Sequence, residues 1–177
     1  MSAQIVPPTP DVTFLAKGLS DVVLHEDDPI VVSVLMMGGN LHRVLIDQGS
    51  SVDVMFWYTF VSLQILKKQL QRFNGVLVKF FGEHVEIWGY VELRTTLTDR
   101  ALVKTIMVRY VVVNAPSSYN LILGQPSLNR LGVIVSSVHM KMKFPIVDGR
   151  IVTLKVDQRQ ARKCYDNSLQ NKRGSLV

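Results

Sequence analysis

The chain has 177 residues, of which 47% are hydrophobic and 19% charged, which is enough apolar mass for one core and too little charge for a disordered protein. The lone Cys164 excludes an intrachain disulfide, and no apolar run reaches the length that a membrane-spanning helix requires. The net charge of +6 is uneven: residues 1–140 carry eleven Lys or Arg against eleven Asp or Glu, whereas residues 141–177 carry nine against three. The first residues, Met1 to Pro8, lack the basic and apolar regions of a signal peptide, so a soluble intracellular protein, cytoplasmic and without a membrane partner, is expected.

Residues 1–28 read as a leader, with Pro7, Pro8 and Pro10 near the start and an acidic cluster at Glu26, Asp27 and Asp28. A β-rich domain is expected over 29–157. Its first runs, Ile30 to Met36 and Leu41 to Ile46, flank Gly38-Gly39-Asn40 and predict a β-hairpin. Asp47 then stands at a strand end, followed by Gln48, Gly49, Ser50 and Ser51.

Val52 to Phe56 predicts a short buried strand. Phe60, Leu63, Leu66 and Leu70 have helical spacing, which predicts a helix over 59–70. Strands are predicted at Val76 to Phe81 and Val85 to Leu93, around Gly82, Glu83 and His84; Arg94 to Leu97 extends the second, Thr98-Asp99-Arg100 offers a turn, and Leu102 to Val113 predicts the next strand. Tyr119 to Gly124 predicts a buried strand, and Pro126 to Leu131, stopped by Gly132, a short helix. Val133 to Phe144 and Ile151 to Val156 predict two more strands around Asp148-Gly149-Arg150.

From Gln158 the sequence turns polar and predicts a frayed helix within a basic tail, 158–177. The surplus charge there can touch RNA, but no aromatic stacking platform accompanies it, which favours a solvated tail. Among Arg162 and Lys163, the Cys164 thiol is expected to have a lowered pKa. His25, His42, His84 and His139 have no close His or Cys partner at metal-ligand spacing, so neither a metal nor a cofactor is expected.

The residues with chemistry in them are Asp47 to Ser51. An acid at a strand end, followed two residues later by a turn-forming glycine, is how a carboxylate can be presented for hydrolysis. Peptide hydrolysis by carboxylates needs two sharing one proton, because two close carboxyls cannot both ionise cheaply. No second Asp-x-Gly follows a strand in this chain, and Asp148-Gly149 sits in a hairpin turn. A dyad therefore requires Asp47 from two copies across a two-fold axis.

Four phrases carry a resemblance: Val44-Leu45-Ile46-Asp47-Gln48-Gly49-Ser50-Ser51-Val52-Asp53, Phe81-Gly82-Glu83, Ala115-Pro116-Ser117-Ser118-Tyr119-Asn120, and Ile122-Leu123-Gly124-Gln125-Pro126-Ser127-Leu128-Asn129. From about Pro29 to Val156 the chain resembles the retropepsin-like aspartic protease domain of plant gypsy-class LTR retrotransposon (gag-pol) polyproteins. The resemblance implies a mainly β fold, a small closed acid-protease barrel with one or two short helices and one lobe per chain. It implies a homodimer with Asp47 as the catalytic carboxylate, Gly49 making the turn and Ser50 placed to hydrogen-bond that carboxylate. Ile122, Leu123 and Gly124 would buttress the loop, and Phe81, Gly82, Glu83 and His84 would form the tip of a flap over a polypeptide substrate, which would be the element's own polyprotein. A leader joined to a capsid-type region, a tail leading toward a polymerase and a place in a virus-like particle fit the same resemblance. Gln48 departs from it, because active retroviral and pepsin-like enzymes carry Thr or Ser there, reaching across the dimer axis. A second reading is therefore a catalytically inactive module of the same fold that dimerises or binds peptides.

Overall fold

The computed structural model describes residues 12–14, 28–74, 85–156 and 158–174. Six strands close into a barrel: β1 (Val31–Met36), β2 (Gly39–Ile46), β3 (Asp53–Phe56), β4 (Glu86–Asp99), β5 (Leu102–Asn114) and β6 (Leu121–Leu123). Their order around it is β1-β2-β6-β3-β5-β4, and the Leu35–Thr96 pairing of β1 with β4 closes the circle. A separate antiparallel sheet holds β7 (Ile134–Ser136), β8 (Lys141–Pro145) and β9 (Ile151–Lys155). The helices are α1 (Trp57–Ser62), α2 (Gln125–Leu131) and α3 (Gln158–Gly174), with a 3-10 turn at Lys67–Gln69. The mainly β closed barrel expected from the sequence is the observed architecture.

Burial explains the texture of the strands. In β4, Val91, Leu93, Thr95 and Leu97 face inward while Glu92 and Arg94 face water, the period of a sheet with one wet face. The strands β3 and β6 are buried on both faces, so apart from Asp53 at the start of β3 they read as continuous apolar runs. Their side chains alternate between two clusters. Met55, Leu121 and Leu123 join the main core with Val44, Ile46 and Tyr110, whereas Val54, Phe56 and Ile122 join Val111 and Val113 on the opposite face. The main core continues into α2 through Leu128 and Leu131, and into the second sheet through Met142, Phe144 and Val152. Each large apolar side chain buried in this way contributes on the order of 1.5–3 kcal/mol.

Several sequence expectations need correction. The first hairpin turns at Met37 and Gly38, with φ of 51° and 82°, so that Gly39 and Asn40 already belong to β2. Two successive positive φ values match the right-handed twist of the paired strands. The helix expected over 59–70 ends at Ser62, because Gln64 takes a left-handed φ of 56° and turns the chain toward the buried Ile65. The strand expected over 133–144 is broken by a turn at 137–140, where the His139 N–H donates to the Ser136 hydroxyl (3.3 Å). The polar segment after 157 forms the 17-residue helix α3, which packs on β1 and β2. Ala161 and Cys164, spaced three apart on one helix face, are buried there, and Arg162 pairs with Asp28 at 3.2 Å.

Candidate active site

The site is built where two strand ends meet. β6 lies between β2 and β3, parallel to β2 (Ile46 opposite Leu123) and antiparallel to β3 (Val54 opposite Ile122). The chain leaves β2 at Ile46, turns across the end of β6 in residues 47–52, and returns as β3. The Asp47 N–H donates to the Leu123 carbonyl (3.0 Å), which fixes the start of the turn. The Gly49 N–H donates to Asp47 Oδ1 (2.9 Å), and the Ser50 N–H donates to the Asp47 carbonyl (3.3 Å). Asp47 thus organises its own turn, as Asp side chains commonly do. It is half-buried, and among the described residues nothing donates to its second oxygen, Oδ2.

Gly124 is where β6 touches this turn. A Cβ on it would fall 2.3 Å from the Val52 carbonyl oxygen and 2.7 Å from that of Ser50. Its φ of −92° is open to any residue, so lack of space, and not backbone freedom, demands glycine. Just beyond it, the Gln125 N–H donates to the Ser50 carbonyl (2.8 Å). The structure therefore brings Asp47, Gly49 and Ser50 together with Leu123 and Gly124 at one junction, while Ile122 packs below in the second apolar cluster.

Ser50 does not bond as expected. Its hydroxyl donates to the Val52 carbonyl (2.7 Å), and the buried oxygen has a single proton to give, so the Asp47 carboxylate is held by the Gly49 amide instead. Gln48 and Ser51 are exposed at the turn.

Two residues of the site were missed in the sequence. Asn120 is buried beside β2: its Nδ2 donates to the His42 carbonyl (2.6 Å), and its Oδ1 accepts from Arg43 (3.2 Å) and from the Tyr58 hydroxyl (2.9 Å). Asp53 opens β3 and is 4% exposed; its Oδ1 accepts from the Gly124 N–H (2.7 Å) and its Oδ2 from the Ser127 hydroxyl (2.8 Å). Burial pushes its carboxyl pKa up, against the opposing pull of those bonds and of Arg130. The available signal was a charged residue inside the otherwise apolar run Val52 to Phe56.

The flap tip expected at Phe81, Gly82, Glu83 and His84 lies outside the described residues. Where the chain re-enters β4, Trp88 stacks on Trp57 of α1 with ring centroids 4.4 Å apart, and Lys67 stands 5.4 Å from both rings. Gly89 bulges the strand at φ 141°, with the Gln71 carbonyl 2.5 Å from where a Cβ would be.

Neither a protein-family model nor a curated protein sequence matches the chain. Solved structures do. The retroviral protease-like domain of Ddi1 from Leishmania major is 17% identical with a TM-score of 0.56, covering 75% of this chain and 98% of that one. The fold is that of a retropepsin-like domain. The chain is also similar to the EIAV protease in complex with the inhibitor HBY-793 (22% identity, TM-score 0.45, 65% of this chain and 99% of that one) and to a retropepsin-like aspartic protease from Rickettsia conorii (13%, 0.47, 64% and 80%). Among the described residues, the turn between β2 and β3 presents the Asp47 carboxylate.

Proposed function

We propose that the chain is one half of an aspartic-type endopeptidase, in which Asp47 from each of two copies shares one proton across a two-fold axis. The observation that carries this reading is the junction itself. Asp47 is fixed at its N–H by Leu123 and at Oδ1 by the Gly49 amide, and no donor among the described residues reaches Oδ2. In the proposed cycle one Asp47 takes a proton from water while the other donates its proton to the scissile carbonyl oxygen. The water oxygen forms the new bond to carbon, and the amine leaves with a proton returned by the dyad. The dyad titrates as a unit, so no pKa belongs to either copy alone.

The resemblance of the Asp47 and Gly124 phrases to those of plant gypsy-class retrotransposons supports a natural substrate within the element's own polyprotein. Among the described residues no helix is long and apolar enough to cross a membrane. The test is cleavage of a peptide library at mildly acidic pH, with pepstatin and Asp47→Asn as controls. The reading requires cleavage that both abolish. Cleavage that survives Asp47→Asn removes the mechanism. A verified dimer that cleaves nothing favours instead a non-catalytic dimerisation or peptide-binding module, the reading that Gln48 supports.

A further inference from the structure

Three consecutive residues at the β6–α2 junction each bond the segment from Asp47 to Asp53. The Leu123 carbonyl accepts from the Asp47 N–H (3.0 Å), the Gly124 N–H donates to Asp53 Oδ1 (2.7 Å), and the Gln125 N–H donates to the Ser50 carbonyl (2.8 Å). The first bond holds the start of the loop, the third its middle and the second its end.

The middle of this set has a specific cause. α2 starts after Gly124, a residue with no side chain to cap the helix, and the Val52 and Ser50 carbonyls exclude any other residue there. Asp53 supplies the missing cap from the neighbouring strand, with one oxygen on the Gly124 amide and the other on the Ser127 hydroxyl. A carboxylate buried without an ion pair is costly, and among the described residues Asp53 has none. A structural cap alone needs only a neutral acceptor such as Ser or Asn. Two bonds accepted by the two oxygens of one side chain do more, because they tie the end of the loop to α2 at a fixed height.

We propose that Asp53 is a positioning residue for Asp47. Its carboxylate locks the end of the 47–53 loop onto the β6–α2 junction, and so sets where the Asp47 carboxyl sits relative to a partner. The kinetic part of this proposal rests on the endopeptidase reading; the geometric part does not.

Asp53→Asn keeps the size of the side chain but offers one acceptor oxygen and no charge. Ser127→Ala removes the donor to Oδ2 and leaves the carboxylate. Both are made in the full chain and checked for a wild-type circular dichroism spectrum, and Ser127→Ala decides the matter if Asp53→Asn does not fold. Peptide cleavage by Asp53→Asn is expected to show kcat reduced by about tenfold to a hundredfold, with KM within about twofold of wild type, because a small displacement of a catalytic group acts on the chemical step. In amide proton–nitrogen spectra both variants are expected to shift the Gly49 resonance, which reports the bond to Asp47 Oδ1, together with that of Gly124. Folded variants in which Gly124 shifts while Gly49 stays in place, with kcat unchanged, would overturn the proposal. If wild-type chain shows no Asp47-dependent cleavage, the endopeptidase reading fails while the Gly49 response still decides the positioning role.

Discussion

Gly124 packs against Ser50 so closely that the smallest side chain on the one would strike the carbonyl of the other, at 2.7 Å. The carbonyl belongs to the Asp47 turn and the glycine directly follows the strand beneath it, so the space between them sets the height of the carboxylate. Gly124→Ala must push the two apart. It is expected to cost about 3 kcal/mol, the range of overpacked sites, read as a lower urea midpoint, and to abolish activity in whatever remains folded. Gly132→Ala is the control. There φ is 63° and the nearest atom to a Cβ is 3.7 Å away, so only backbone strain opposes it. Its expected cost is about 1 kcal/mol.

Asn120 links the strand ahead of Asp47 to α1. Replacing it with alanine removes the acceptor for Arg43 and Tyr58 and leaves the His42 carbonyl without its side-chain donor. Asn120→Ala is expected to lower stability by about 2 kcal/mol, the cost of stranded polar groups less what water restores at the half-exposed ones. Denaturant unfolding measures it. A change within error of zero would show that the network is incidental.

Asp53 makes a prediction about pH. Burial raises its carboxyl pKa in the folded chain, so the folded state holds that proton more tightly than the unfolded one. Its contribution to stability is therefore full at low pH and is lost as pH rises from the ordinary carboxylate range through the raised value. The groups facing it are Arg130 and Ser127 on α2, the Gly124 amide, and Tyr110, its partner on β5. Arg130 moderates the shift without reversing it. Asp53→Asn, neutral at every pH, should gain stability relative to wild type as pH rises through that window. Taking the difference between the two proteins cancels the other carboxylates. A difference that is flat or of the opposite slope would contradict the assignment.

Cys164 corrects the expectation drawn from its basic neighbours. Burial raises the thiol pKa and outweighs the pull of Arg43 and Lys163. The thiol is 2% exposed, with its Sγ 3.7 Å from the Ser118 carbonyl. Iodoacetamide should modify it at least about a hundredfold more slowly in the native chain than in urea, since reaction requires the docked helix to open. Alkylation at the unfolded rate would mean that α3 does not hold its place on β1 and β2.

How much of this was legible in the sequence depended on whether the signal was local. The β-hairpin, the strand ending at Ile46, the glycine-stopped helix α2 and the long strand β5 are all written in adjacent residues, and they appeared close to where they were expected. The order of the Asp47 and Gly124 phrases suggested that they meet, but nothing local told why Gly124 must be glycine, because the atoms that exclude a Cβ belong to residues more than seventy positions earlier. Asp53 and Asn120 stayed hidden for the same reason, since their partners come from other elements. The resemblance implies a Ser50 hydroxyl on the carboxylate, but the Val52 carbonyl two residues on takes its proton. The docking of α3 is hard to read in the sequence because a polar composition conceals the two small side chains, Ala161 and Cys164, that are buried against the barrel.

The central claim is that two Asp47 side chains make one active site, and mixing tests it most directly. Wild-type chain and Asp47→Asn are unfolded together and refolded in equal parts at constant total concentration, and peptide cleavage is measured. If the dyad needs an Asp47 from each chain, random pairing leaves about a quarter of the dimers with both, and the rate should fall to about a quarter of the all-wild-type value. A rate of about one half, proportional to the wild-type chain present, would mean that each chain acts alone and would contradict the shared dyad.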